Sequence, residues 1–253
     1  MRAESDPPIQ STAVSLEILE AVHELGEATL PEVVDEFDRP KSTVHDHLAT
    51  LTRMGYLVNE DGTYRLSLRF LNFGGRVRSR NQLFQVAESK VRELAKETGE
   101  HANLMVEENG KGVFLYKVKG AESVTLDTYE GMEVYLHTTA MGKAILAEMP
   151  AEERDAIIDR YGLPAVTDNT ISDYGELLEE IDRIRERGYA IDNEERIPGI
   201  RCVAAPISTE AGVVGALSIS APRRRMSDER FEDEIPVEVL RTANIIEVNL
   251  QHS

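Results

Sequence analysis

Between residues 11 and 66 the hydrophobic period changes once, from helical to alternating, and the punctuation around each run leaves few folds open. From Ser11, residues Val14, Ile18, Leu19, Val22 and Leu25 recur at helical spacing until Gly26, which predicts an amphipathic helix stopped by glycine. A shorter helix follows, with Thr29 as its cap, Pro31 in its first turn, and Val33, Val34 and Phe37 on its apolar face. After the turn Asp38-Arg39-Pro40, a third helix runs from about Lys41 to Met54, with Val44, Leu48, Leu51 and Met54 on one side and Gly55 closing it. The period then drops to two. Tyr56 to Val58 and Thr63 to Leu66 flank Asn59-Glu60-Asp61-Gly62, the pattern of two short strands around an Asp-Gly turn. Three short helices and a hairpin make a winged helix-turn-helix, complete near residue 70. Leu68 to Arg80 continues as a connecting helix with Gly74-Gly75 as its weak point, which divides the chain into 1–67, a linker at 68–80, and 81–253.

Charge is distributed in a way that matters more than its total. A net charge of -18 argues against nucleic acid, because phosphates repel it. Residues 1–38 carry Arg2 as their only base against ten acids, yet residues 39–80 carry eight bases (Arg39, Lys41, Arg53, Arg65, Arg69, Arg76, Arg78, Arg80) against three acids. One segment is locally cationic, and it holds the third helix. With Val44, Leu48 and Leu51 buried, the opposite direction of that helix falls on Ser42, Asp46, Ala49 and Arg53, flanked by Thr43 and Thr50. Short hydrogen-bonding side chains of this kind approach base edges in a major groove, while Arg39, Lys41, Arg53 and the wing residue Arg65 supply phosphate or groove contacts. A solvated polar helix face is the competing explanation. Asp46 stays open: in the groove it accepts from a cytosine amino group, and beside phosphates it repels. His45 and His47 point about 200° apart on a helix and share no ion; they read as surface or groove residues. Lysine is scarce and acids abound, a composition resembling proteins of concentrated salt, where screening shortens charge interactions to about 3 Å at 1 M.

The remainder alternates helices and strands. Leu83, Val86, Ala87, Val91, Leu94 and Ala95 predict a long helix ended by Gly99, and strand-like runs follow at 102–106, 112–118 and 124–129. Helices are expected at 139–148, 151–161 and 173–187, the last with capping-box spacing of Asp173 and Glu176. Strands return at 189–193, 202–207 and 213–220, and a final helix begins near Ser227. The expected class is α+β, with helices packed on a mainly antiparallel sheet. No apolar stretch approaches the length of a membrane span, and Met1 to Pro8 lacks the order of a signal peptide, so a cytoplasmic chain is expected. A single cysteine, Cys202, excludes an internal disulfide and a multi-cysteine metal site; no cofactor or metal is expected.

Three segments carry a resemblance that spans nearly the whole chain. Residues 135–147, Y-L-H-T-T-A-M-G-K-A-I-L-A, resemble the form L-H-x-T-A-x-G-K-A-x-L-A. Residues 188–207 resemble G-[YW]-A-x-D-x-E-E-x-x-x-G-[VI]-x-C-[IV]-A-A-P, and residues 213–222 resemble V-x-G-A-L-S-[IV]-S-x-P. All three are patterns of the IclR family of transcription regulators. The resemblance implies a winged helix-turn-helix, a linker helix and a GAF-like α/β effector domain, assembled as dimers or dimers of dimers on palindromic promoter DNA. It also implies an effector cavity lined by Leu126, Val134, Ala140, Met141, Asp192, Ile200, Cys202, Ser218 and Ser220.

Ser218 and Ser220 occupy alternate strand positions and share a face, so their hydroxyls can donate to a carboxylate, helped by backbone amides near Ala140. Satisfying strand backbone is the alternative use of those hydroxyls. Asp192 repels a carboxylate unless it meets a hydroxyl or is protonated, and a keto, hydroxy or sugar acid carries both groups. Gly142-Lys143 lacks the preceding glycine of a phosphate loop and reads as packing and capping. An enzyme needs a nucleophile with a base, a carboxylate pair or metal ligands, and the six histidines form no such spacing. A ligand-responsive DNA-binding regulator is the reading favoured here over a GAF-like enzyme or a ligand-independent interaction module.

Overall fold

The protein is described by a computed structural model covering residues 7–252; Met1 to Asp6, part of the stretch read as lacking a signal peptide, lie outside the described residues. It divides into two compact units, Met1–Val77 and Arg78–Ser253.

In the first unit, α1 (Gln10–Leu25), α2 (Leu30–Asp35) and α3 (Lys41–Arg53) pack Val14, Ile18, Val22, Val33, Val44, Leu48 and Leu51 into one core. Gly26 ends α1 with φ 76°, a backbone angle that favours glycine. Thr29 caps α2 through a closed box, its backbone N–H and its hydroxyl donating to Glu32 Oε2 at 2.7 and 2.8 Å. The wing is a sheet of three strands rather than a bare hairpin. β1 (Glu27–Thr29) pairs with β3 (Thr63–Leu66), which pairs with β2 (Leu57–Glu60) around Asp61-Gly62, both at positive φ. Three residues are too few for β1 to display a period, so only its pairing defines it.

Helix α4 (Arg69–Arg80) runs across the division between the units. Arg69 fastens its start, donating to Met54 O at 2.7 Å and lying 4.6 Å over the Tyr56 ring. α4 stops and α5 (Gln82–Thr98) starts afresh, because the Asn81 side chain accepts from Phe84 N at 3.0 Å as a cap. Gly74 and Gly75 stay helical with open space around both, so Gly75→Ala is expected to stabilise α4 by about 0.5–1 kcal/mol, read as a higher urea midpoint.

The second unit is built on one antiparallel sheet of six strands, order β6-β5-β4-β9-β8-β7. These are β4 (His101–Glu108), β5 (Lys111–Val118), β6 (Glu133–Tyr135), β7 (Ala190–Asn193), β8 (Ile200–Thr209) and β9 (Gly212–Pro222). Alternation sorts their side chains. Ala102, Leu104, Val203, Ala205, Leu217 and Ile219 face α5 and α9 (Ile235–Gln251). Met105, Ala204 and Ala216 face α6 (Ala140–Glu148) and α8 (Tyr174–Arg187), with α7 (Ala151–Tyr161) beside them. The strand expected at 124–129 is absent: Lys117 reaches across to the Thr128 carbonyl at 2.8 Å, and the sheet edge is taken instead by β6.

Candidate functional site

The first site is the outer face of α3. Ser42, Asp46, Thr50 and Arg53 are exposed and Thr43 is half-buried, as the helical wheel places them. Lys41 and Arg53 stand twelve residues apart, about 18 Å along the axis, and neither has an ion partner among the described residues. The other two cations are compensated. Arg39 lies 3.5 Å from Glu17, and Arg65 turns back along the wing to Glu60 at 2.6 Å. Thr50 spends its hydroxyl proton on Asp46 O at 2.7 Å and keeps only acceptor capacity. Asp46 is 82% exposed, with the His45 ring 3.4 Å away. The surface role expected of His47 is corrected: its Nδ1 lies 2.8 Å from Ser15 Oγ, tying α3 to α1.

The second site is a narrow cleft of about 30 Å³ on the α6 side of the six-stranded sheet. Eight of the nine expected residues line it: Leu126, Ala140, Met141, Asp192, Ile200, Cys202, Ser218 and Ser220. Val134 is not part of its lining. It sits on the edge strand β6, packs with Met105, Phe114 and Leu136, and borders a separate open cleft with Asp127, Tyr135 and Arg196. Asn103, Phe114, Thr128, Thr139, Arg196 and Ile197 complete the lining. Strand register explains the polar floor, since Asp192, Cys202, Ser220 and His101 form one rung across four strands, and Ala204, Ser218 and Asn103 the next.

Asn103 is the hub of that floor. Its Nδ2 donates to Ser218 Oγ and Ser220 Oγ, each at 3.1 Å, so both hydroxyls accept there; the Ser220 hydroxyl also bonds the Cys202 sulfur, and Ser218 keeps its proton for a guest. The start of α6 adds two more donors. Thr139 Oγ1 accepts from Gly142 N at 2.9 Å, and the amides of Ala140 and Met141 have no acceptor among the described residues. Gly142 makes this approach possible: a Cβ there would sit 2.0 Å from Leu136 O.

Behind the cleft lies a buried ion pair. Lys143 Nζ donates to Glu195 Oε2, with the lysine side chain 1% exposed, so Gly142-Lys143 packs as the sequence reading held. Asp192 caps the following turn, accepting from Glu195 N at 2.7 Å and from the Arg196 N–H. Burial, then the neighbouring Glu195, pushes its carboxyl up to about 7. Burial likewise raises the Cys202 thiol well above its ordinary value, and so it is no nucleophile at neutral pH.

The Asp192 shift has a sign that can be tested. The folded chain holds the proton up to about pH 7, whereas an unfolded aspartate releases it near 3.9. Between these values the unfolded state binds fewer protons, so this group makes stability fall as pH rises from about 4 to about 7. Asp192→Asn keeps an acceptor for both amides and loses the titration. Its urea midpoint should exceed the parent's at pH 8 and match it near pH 4; equal midpoints at both would contradict the assignment.

A winged helix with exposed cations on α3, in a chain whose second unit holds a small polar-floored cleft, is the architecture of a DNA-binding regulator. Residues 11–61 match the IclR helix-turn-helix domain and residues 75–248 the bacterial transcriptional regulator IclR C-terminal domain. The chain belongs to the IclR family of transcription regulators. It is 36% identical over 248 residues to a probable HTH-type transcriptional regulator ArcR of Halobacterium salinarum, covering 96% of this chain and 94% of the relative. The crystal structure of the Thermotoga maritima IclR shares 30% identity and a TM-score of 0.76, over 95% of this chain and 98% of that one. An IclR homologue from Microbacterium hydrocarbonoxydans, crystallised with 4-hydroxybenzoate, shares 25% identity and a TM-score of 0.77, over 94% and 100%. These relatives are regulators and not enzymes. No helix among the described residues is long and apolar enough to cross a membrane.

Proposed function

We propose that this DNA-binding regulator controls a metabolic operon in response to a small keto, hydroxy or sugar acid held in the α6 cleft. The observation that carries the reading is the concentration of donors around one cavity, namely the amides of Ala140 and Met141, without an acceptor among the described residues, and the hydroxyl of Ser218. Such donors suit oxygen-rich guests. Apolar Phe114, Leu126, Met141 and Ile200 limit the guest's size. A protonated Asp192 removes the repulsion that an acid would otherwise meet. That a relative holds 4-hydroxybenzoate, which carries both a carboxylate and a hydroxyl, agrees with this choice of class.

On DNA the chain acts as a dimer, or a dimer of dimers, on a palindromic operator, α3 of each copy entering one half-site. α4 favours pairing: it buries none of its residues, and Leu68, Leu71 and Val77 are each 70% exposed or more. The ligand biases assemblies that hold the two reading helices at different spacings. The acid-rich surface of the remainder suits work in the cytoplasm of a salt-rich cell.

The test pairs two readouts. A panel of keto, hydroxy, sugar and aromatic acids is screened for a rise in Tm, and each hit is added to a titration of the upstream duplex. The reading predicts at least one acid that raises Tm and shifts duplex affinity at least fivefold. Acids that raise Tm and leave duplex affinity unchanged would sink the coupling.

A further inference from the structure

We infer that Arg196 is the anion anchor of the cleft, and that Asp127 occupies it as an internal stand-in for the guest's carboxylate. The inference rests on the organic-acid reading and deepens it, by assigning the carboxylate to Arg196 and the guest's second oxygen to the α6 amides and the Ser218 hydroxyl.

Arg196 is a charged side chain with almost nothing to hold. Only 12% of it is exposed, yet its nearest acceptors are Asp127 Oδ1 at 3.4 Å from Nη1 and Met132 Sδ at 3.5 Å from Nη2. The guanidinium also sits 5.9 Å from the centre of the Phe114 ring, another lining residue. Other arginines of the same unit have short partners: Arg225 grips Glu100 at 2.7 and 2.9 Å, and Arg201 has three acceptors at 2.8 to 3.0 Å. A guanidinium carries five donors in a planar fork made for a carboxylate, and leaving it half-buried without good acceptors is unfavourable. Something of opposite charge belongs there.

The backbone around it is fixed. Asp192 accepts from the Glu195 and Arg196 amides, Thr167 and Thr170 donate to Glu195 O at 3.0 and 2.6 Å, and Lys143 holds the Glu195 side chain. Arg196 therefore projects from a braced turn, at a position that the sequence pattern leaves open between its paired glutamates and its glycine. Asp127 is the opposite case. It is 65% exposed and lies between Leu126 and Thr128, which line the cleft; among the described residues its one ion pair is the long contact to Arg196, with the Lys117 charge nearby. A guest carboxylate in bidentate geometry outcompetes it, and release of Asp127 signals occupancy to the stretch that carries Leu126 and Thr128.

Titration calorimetry of the full chain tests this with named probes: pyruvate, lactate, gluconate, 4-hydroxybenzoate and their amides, against the parent, R196Q, R196K and D127N. Loss of a charge-assisted hydrogen bond predicts that acids binding the parent bind R196Q about ten- to a hundredfold more weakly, with R196K between. Removing an exposed competitor predicts that D127N binds the acids about two- to fivefold more tightly, with the amides unchanged. R196Q should melt with the parent, since Arg196 makes no short bond. An acid that binds the parent and R196Q alike, or D127N no better than the parent, overturns the anchor and leaves the organic-acid reading standing. If no acid binds any of the four proteins, that reading falls and the anchor with it.

Discussion

Replacing Lys41 and Arg53 together by alanine should weaken binding to every duplex, specific or scrambled, by about ten- to a hundredfold at moderate salt. Both stand on α3 without an ion partner among the described residues, so neither has an internal bond to lose and the fold should survive. Each phosphate neutralised releases condensed counterions. The slope of log K against log salt should therefore shrink by about 1.8 for the pair. Arg39 and Arg65, engaged by Glu17 and Glu60, should each have a smaller effect when replaced. Asp46→Ala supplies an opposite sign: an exposed carboxylate beside phosphates repels, so its removal should raise affinity for scrambled DNA. Fluorescence anisotropy across a potassium chloride series reads all of these.

Lys143→Met should destabilise the second unit by about 3–5 kcal/mol, the largest stability change expected of any single substitution here. Lys143 is fully buried, and removing it leaves the buried Glu195 carboxylate without its cation. Glu195→Met in the same chain removes the stranded charge and should restore most of the loss, because two apolar side chains of similar volume suit that interior. The two units can unfold separately, so the urea transition of residues 78–253 must be followed by itself. A double variant as unstable as Lys143→Met would show that Glu195 is not the partner that matters.

Much of the architecture is legible in the residues, and the misses share a cause. Gly26 and the Thr29–Glu32 box mark ends of α1 and α2 in the sequence because they act within four residues of themselves. The Asp61-Gly62 turn is local in the same way. Residues 124–129 carry strand-forming side chains, but a strand needs a partner, and β5 pairs instead with β6.

The cleft divides likewise. Ser218 and Ser220 announce a shared face by alternation, whereas Asn103 lies 115 residues before Ser218 and joins it only through the β4–β9 register. A polar residue centred in the apolar run 102–106 was the available signal. Arg196, the one base in the acidic string from Asp192, was another. Val134 lies outside the cleft because strand order decides what an edge residue reaches, and strand order is not local.

One titration bears most directly on the whole account: the chain against its own upstream duplex and a scrambled duplex of equal composition, repeated at rising potassium chloride. Tighter binding to the native duplex, with affinity for both falling linearly in log salt, is the predicted result. Equal affinities, or binding indifferent to salt, would contradict it.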